Sequence, residues 1–321
     1  MRSLEGNIAD LAGRRIFPGR VEWSGGVIRR IVPLPGRRFA RTIAPGFVDS
    51  HVHIESSMLP PAEFARLAVV HGTVATVSDP HEIANVLGAA GVRYMLAQAR
   101  RTRVKICLGA PPCVPATPFE TAGAALGPRA VARLLALPGI GYLSEVMNFP
   151  GVLRGDPDLM AKIRAARRRG KPVDGHAPGL RGKNLNAYVL AGVRSDHESV
   201  DVAEAREKLR LGMHVLLREG STERNLQHLL PLINSNNFQN CSFATDDKLA
   251  GDLVKEGHID HCVRQSIRSG LSPITALQIA TINSARHYRL HNLGAIAPRF
   301  WADFIVFDSL KNFRVRATAP S

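Results

Sequence analysis

Ile43-Ala44-Pro45-Gly46-Phe47-Val48-Asp49-Ser50-His51-Val52-His53 is the stretch on which the reading of this chain turns. It runs apolar for most of its length and finishes in two histidines spaced i and i+2. Residues two apart on a strand project to the same face, so the two imidazoles leave the strand together. At the end of a barrel strand that face is the interior, where both can hold one metal ion. A lone H-x-H is a weak signal. Here the ending recurs after three later strand-like stretches, as Asp174-Gly175-His176, Ser195-Asp196-His197 and Thr245-Asp246-Asp247.

Outward from that stretch, residues 44–281 alternate short apolar runs with amphipathic ones. Strands are predicted at 43–51, 73–78, 104–109, 141–147, 172–175, 192–195, 214–218 and 241–244. Helices are predicted at 61–70, 88–100, 156–169, 202–211 and 223–234. Pro61 at a helix start, and Gly72, Gly170 and Gly212 just past helix ends, supply the punctuation. Eight strands alternating with helices predict an α/β fold of the (β/α)8, TIM-like barrel type. A doubly wound open sheet is the alternative, but it would spread the acidic and histidine-bearing strand ends along a line. The flanks differ in character. Two β-like pieces, at 16–22 and 27–32, precede the barrel, and Ala302-Asp303-Phe304-Ile305-Val306-Phe307 follows it. The expectation is a small β-domain built from both ends: residues 1–43, a barrel over 44–285, and a return over 286–321.

With 321 residues, 45% of them hydrophobic and 21% charged, the chain has the composition of a globular protein. No apolar run reaches the ~18 residues of a membrane span, and the N-terminus lacks the apolar core of a secretory signal. A cytoplasmic location is the resulting expectation. Cys107, Cys113, Cys241 and Cys262 show no C-x-x-C spacing, so no disulfide framework is expected. The formal charge of +15 raises the question of nucleic acid. Its densest runs, 93–103 and 164–171, carry apolar residues at helical spacing between the arginines. They read as solvated outer helix faces, so neither a nucleic-acid nor a membrane partner is expected.

The strand endings carry the chemistry. His51, His53, His176, His197 and Asp246 are candidate metal ligands of the kind a hydrolytic site needs: neutral imidazoles and carboxylates with a position left for water. A second ion needs a bridging anion, and Glu145 ends the otherwise apolar fourth strand. A modified lysine is the competing bridge, but Lys105 stands at the wrong end of its strand. Asp246 is the candidate proton acceptor from the attacking water and donor to the leaving group. His53-Ile54-Glu55 also fits the H-x-E of zinc nucleobase deaminases, with Pro112-Cys113 as a partial second half. Ala116 stands where that motif needs a cysteine, which rules the motif out.

With its later His, His and Asp, Pro45-Gly46-Phe47-Val48-Asp49-Ser50-His51-Val52-His53 resembles the amidohydrolase superfamily. Longer blocks are similar to its adenine deaminase family. These are His51-Val52-His53-Ile54-Glu55-Ser56-Ser57-Met58, Ser78-Asp79-Pro80-His81-Glu82-Ile83-Ala84-Asn85-Val86-Leu87-Gly88, Asp174-Gly175-His176-Ala177-Pro178-Gly179-Leu180, Ser195-Asp196-His197-Glu198-Ser199, Ala244-Thr245-Asp246-Asp247-Lys248 and Glu256-Gly257-His258-Ile259-Asp260-His261. The resemblance implies conversion of adenine and water to hypoxanthine and ammonia. It implies a binuclear divalent metal site, manganese first with iron or zinc as alternatives, held by His51, His53, Glu145, His176, His197 and Asp246. It implies small-molecule partners, adenine and water, and leaves a homo-oligomer open. Proton donors and purine contacts are then sought just beyond strand ends: Glu55, His81, Glu82 and Glu219, with Asp247 and His258 as further loop candidates. His81 joins Asp246 and Glu145 as a catalytic candidate. Members of that family usually continue past the barrel, whereas this sequence ends at Ser321. A dihydropyrimidinase-like or allantoinase-like amidohydrolase is the rival, set back by Glu145 where such enzymes carry a lysine. An inactive truncated homologue is the third reading.

Overall fold

In the computed structural model, which describes residues 1–117, 119–310 and 313–321, Gly46 divides the opening stretch between two sheets. Strands β1 (Arg2–Asp10), β2 (Arg15–Ser24), β3 (Val27–Pro33) and β4 (Thr42–Pro45) lie on one side of it. The barrel begins on the other, with β5 (Phe47–His53). A Cβ at position 46 would lie 2.3 Å from Val74 Cγ1, so only glycine fits where the chain crosses. The single strand expected at 43–51 is therefore two strands, and the second runs on through both histidines.

The barrel continues with β6 (Thr73–Ser78), β7 (Lys105–Ala110), β8 (Ile140–Val146), β9 (Val173–Gly175) and β10 (Ser195–Asp196). It ends with β11 (His214–Arg218), β12 (Cys241–Ala244) and the two-residue β13 (Asp246–Asp247). Neighbouring strands pair in parallel. The ring closes because β13 pairs with Val52 and His53 of β5, which rules out the open sheet. Between β9 and β10 the ladder thins to Arg194 N donating to Val173 O at 3.0 Å and Gly175 N to Ser195 Oγ at 3.2 Å. A Cβ on Gly175 would stand 2.2 Å from Ser195 O, so the middle residue of Asp174-Gly175-His176 is a packing requirement. The chain returns through β14 (Phe304–Phe307) and β15 (Val315–Ala319) to complete a six-stranded sheet ordered β15-β14-β4-β1-β2-β3. Ile8, Val21, Ile28, Ile43 and Phe304 pack on one of its faces. β1 and β15 were not foreseen: β1 is mostly polar, and β15 is a half-exposed edge strand.

Helices cover the barrel: α1 (Pro61–Val70), α2 (His81–Ala99), α3 (Pro128–Leu135), α4 (Phe149–Leu153), α5 (Pro157–Arg168) and α6 (Gly182–Ala191). After them come α7 (Val202–Arg210), α8 (Leu226–Leu229), α9 (Ala250–Glu256), α10 (Ile259–Arg268), α11 (Pro273–Ile279) and α12 (Ile282–His287). Local chemistry explains the boundaries. In α5 the Asp156 side chain accepts from Leu159 N, Pro157 supplies the first helical position, and Leu159, Ile163 and Ala166 face inward. α2 starts seven residues before the predicted 88 and kinks at Gly88, where φ is 58°. The helix expected over 223–234 shrinks to α8 followed by a 3-10 turn around Pro231, which has no N–H to continue the ladder. No described helix is long and apolar enough to cross a membrane.

α12 touches strands all around the ring and so stoppers it from below. Ser284 Oγ accepts from Ser50 Oγ at 2.6 Å and donates to Ser242 Oγ at 3.1 Å, while Tyr288 OH donates to Asp174 Oδ2 at 2.9 Å. The His287 ring stacks on His214 at 4.2 Å. The opposite mouth holds the candidate ligands.

Candidate active site

The ligand candidates lie at the C-terminal ends of strands, the end where barrel enzymes place their chemistry. β5 delivers His51 and His53, β8 delivers Glu145, the turns after β9 and β10 carry His176 and His197, and β13 carries Asp246. A register shift in β5 between Asp49 and Val52 accompanies the switch that aims both histidines inward. Asp246 sits at a left-handed φ of 57°, a conformation aspartate tolerates, where the chain passes from β12 into β13.

These side chains converge. His51 Nε2 and His53 Nε2 are 3.1 Å apart, and Asp246 Oδ1 lies 3.4 Å and 3.2 Å from them. Glu145 stands between two histidine groups. Its Oε1 is 3.5 Å from His53 Nε2 and 3.2 Å from His81 Nδ1, whereas its Oε2 is 2.7 Å from His176 Nδ1 and 3.2 Å from His197 Nε2. His51, His53 and Glu145 form one group able to hold a cation. Glu145, His176 and His197 form another, and Asp246 makes a third with His51 and His197. His53 Nδ1 lies 3.1 Å from Asp79 O, a carbonyl that can only accept; the ring proton therefore sits on Nδ1, leaving Nε2 free as a ligand.

The electrostatics test whether cations fit. Burial opposes a charge on His53, yet the bond to Asp246 and the Glu145 charge outweigh it and hold its pKa up at about 10. His197 is raised well above the ordinary range, again against burial, by Glu145 and Glu198. Glu145 and Asp246 stay ionised against burial through their histidine partners. Buried carboxylates thus draw protons onto imidazoles at the positions where a divalent ion would take over that charge. The donor set, imidazole plus carboxylate, suits manganese, iron or zinc.

Three neighbours of this cluster were missed in the sequence. Asp79, which follows β6, accepts from Ser144 Oγ at 2.7 Å and from Glu145 N at 3.2 Å, fixing the Glu145 backbone. Arg218, which ends β11, donates at 2.6 Å both to Asp246 Oδ2 and to Glu198 Oε1. Glu198 in turn lies 3.2 Å from His197 Nε2. The signal that selected Glu145, a charge ending an apolar strand, also marks Arg218 and Asp79. Glu198 has no such mark.

Of the loop candidates, His81 joins the cluster, 3.2 Å from Glu145 and 3.5 Å from Asp79; burial works against its proton, but those carboxylates hold its pKa up at about 12. Glu55, Glu82 and Asp247 gather beside it. Ser56 Oγ lies between Glu82 Oε1, at 3.0 Å, and Asp247 Oδ1, with one proton to donate, and Ile83 N donates to Glu55 Oε1 at 3.4 Å. Glu55 Oε2 has no protein partner, and burial pushes this carboxyl up to about 7. Two candidates are placed elsewhere. His258 is buried behind β5, its Nδ1 2.6 Å from Thr73 Oγ1 and its Nε2 2.9 Å from Asp49. Glu219 faces Arg224 and His261, at 3.8 Å and 3.9 Å. Lys105 begins β7 and pairs with Asp303 at 2.9 Å, far from the ligand ends.

Residues 42–320 match the sequence profile of the Amidohydrolase family, and the chain belongs to that family. Its fold is shared with N-acetyl-D-glucosamine-6-phosphate deacetylase from Mycobacterium smegmatis (TM-score 0.74, 17% identity, 99% of this chain and 98% of that one). At the level of sequence it is similar to the adenine deaminase of Sulfurovum sp. (strain NBC37-1), 51% identical over 318 residues that cover 98% of this chain and 58% of that protein. It is 49% identical over 319 residues to the adenine deaminase of Salinibacter ruber (strain DSM 13855 / M31), covering 98% and 57%. The chain therefore spans just over half the length of these relatives.

Proposed function

We propose that this chain catalyses the hydrolytic deamination of adenine to hypoxanthine and ammonia at a pair of divalent cations. The observation that carries this reading is Glu145, whose two oxygens face separate histidine groups in a chain about half identical to adenine deaminases. His51, His53, Glu145 and Asp246 would hold one ion, and Glu145, His176 and His197 the other, with manganese the first choice. Such a pair supplies a water acidified toward neutrality, from about 15.7 in bulk, and a Lewis acid beside the substrate.

The chain's own groups do the rest. Asp246 takes a proton from the attacking water as its oxygen bonds to C6, then hands it to the exocyclic nitrogen as the C6–N bond breaks and ammonia departs. Arg218 and Glu198 orient the Asp246 carboxylate. Glu55, held up at about 7 by burial, has a proton near neutral pH for a ring nitrogen as C6 is attacked, and it recovers one from the second O–H of the former water as the C6 oxo group forms. His81, Glu82 and Asp247 line the same side. A cytoplasmic enzyme of purine salvage is the setting this reading implies.

Incubating the manganese-loaded protein with adenine tests it. Loss of ultraviolet absorbance matched mole for mole by ammonia is the expected result. Hydrolysis of a dihydropyrimidine with adenine left untouched would replace this reading with the rival one.

A further inference from the structure

His51, His53 and Asp246 sit on strands that pair with each other, so the sheet itself holds them. His176 and His197 do not: each lies in a turn beyond a strand of two or three residues, at the point where the ladder is thinnest. Two residues that are not ligand candidates tie down those turns. Lys208 of α7 has a side chain with 0% exposure. Its Nζ lies 2.8 Å from Ala177 O, 2.8 Å from Asp196 Oδ2 and 2.6 Å from Glu204 Oε1, which uses all three of its N–H donors. Ala177 follows His176, and Asp196 precedes His197. Asp196 Oδ1 also accepts from Ala177 N at 3.0 Å, so both peptide groups of Ala177 are held. Tyr188 of α6 is the second tie. Its hydroxyl accepts from His176 N at 3.1 Å and donates to Val146 O, next to Glu145, at 2.9 Å.

A buried ion network need not add stability, since apolar residues of similar volume often serve as well or better. What marks this one is where its bonds end. They reach peptide groups or carboxylates adjacent to His176, His197 and Glu145, which come from three different strand ends. We infer that Lys208 and Tyr188 are positioning residues that set His176, His197 and Glu145 in their ligating arrangement before any ion arrives. The inference rests on the two-cation reading above. It implies that the ion at Glu145, His176 and His197 depends on this scaffold through all three of its ligands, whereas the ion at His51, His53 and Asp246 depends on it only through the shared Glu145.

The test is manganese titration of the metal-free, full-length protein under competition with a chelator, comparing wild type with Tyr188→Phe, Lys208→Met and Arg264→Met. Tyr188→Phe removes one hydroxyl and keeps the ring, so it folds even if Lys208→Met does not. Arg264 pairs with Asp260 on α10, away from the cluster, and serves as a control for general destabilisation. Wild type should bind two ions. Lys208→Met should weaken one of them by about 10- to 100-fold and leave the other unchanged, and Tyr188→Phe should weaken the same ion as much while lowering the other by distinctly less, through the shared Glu145. Their lost kcat should return at excess manganese with KM for adenine unaltered, and Arg264→Met should lower Tm without changing either affinity. Wild-type affinity for both ions in Tyr188→Phe would overturn the inference alone. A wild type that binds no second ion would instead sink the two-cation reading.

Discussion

The two ends of the barrel interior are built from the same residue types, and they do opposite things. At the C-terminal mouth, histidines meet carboxylates: His53, His81 and His197 face Glu145, Asp246 or Asp79, and their protons are held tightly. At the floor, His214 meets a hydroxyl and another ring. Its Nε2 lies 2.7 Å from Ser242 Oγ and it stacks on His287; burial first, then the His287 charge, pushes its pKa well below the ordinary value. Asp174 at the floor is likewise satisfied by neutral hydroxyls, from Tyr288 and Ser195. Histidine in a barrel is therefore not in itself a cation site. Carboxylates packed against the rings make the mouth a place for divalent ions, whereas at the floor Asp174 is taken up by hydroxyls and stands 3.9 Å from His287, and His214 meets only a hydroxyl and a ring.

The comparison breaks most sharply at Glu145. Replacing it with Gln should lower bound metal from about two ions per chain to one or none and bring adenine turnover to background, because the acidified water is lost. Elemental analysis beside the ammonia assay reads both. Asp246→Asn comes next: kcat should fall by about 10²- to 10⁴-fold, the range of general acid–base catalysis, while most of the metal stays bound. Normal turnover in that variant would remove Asp246 from the chemistry. At the floor, Tyr288→Phe should cost about 1–3 kcal/mol of stability by leaving the buried Asp174 short of donors, seen as a lower urea midpoint with unchanged metal content.

Two further effects are pH windows of opposite sign. His214 stays neutral in the fold, so below about pH 6.5 the unfolded chain takes up a proton that the folded one refuses. Stability then falls as pH falls, by up to ~1.4 kcal/mol per unit for this one group. His214→Gln should flatten that slope by about one proton. In metal-free protein, His53 keeps its proton to about pH 10, whereas the unfolded chain releases it near 6.5. Its contribution is therefore full below about pH 6.5 and lost as pH rises toward 10. Manganese should abolish that alkaline loss, since ions replace the protons. Urea midpoints across pH, with and without metal, read both windows.

Much of this was legible in the chain because barrel strands end in the chemistry they carry. His51-Val52-His53, Asp174-Gly175-His176, Ser195-Asp196-His197 and Thr245-Asp246-Asp247 each close an apolar run, and the structure brings the His and Asp246 side chains of these endings, with Glu145, into one cluster. Alternation of strand and helix similarly announced the barrel, and α1 was read to the residue. What stayed hidden depends on distance across the fold. Glu198 reads as a loop acid until Arg218 and His197 are seen against it, and His258 reads as a loop candidate for purine contact until Asp49 and Thr73 enclose it. β1 was obscured because its first half is polar and largely exposed while the adjacent Ile8 and Ala9 are both buried, so it shows little alternation, and α12 because its role as a stopper lies in hydroxyls, its own and that of Tyr288, meeting β5, β9 and β12.

Anomalous scattering from manganese-loaded crystals tests the central claim most directly. Two peaks are predicted, one among Glu145 Oε1, His51 and His53 and one among Glu145 Oε2, His176 and His197. A single peak, or a pair that leaves Glu145 untouched, would contradict it.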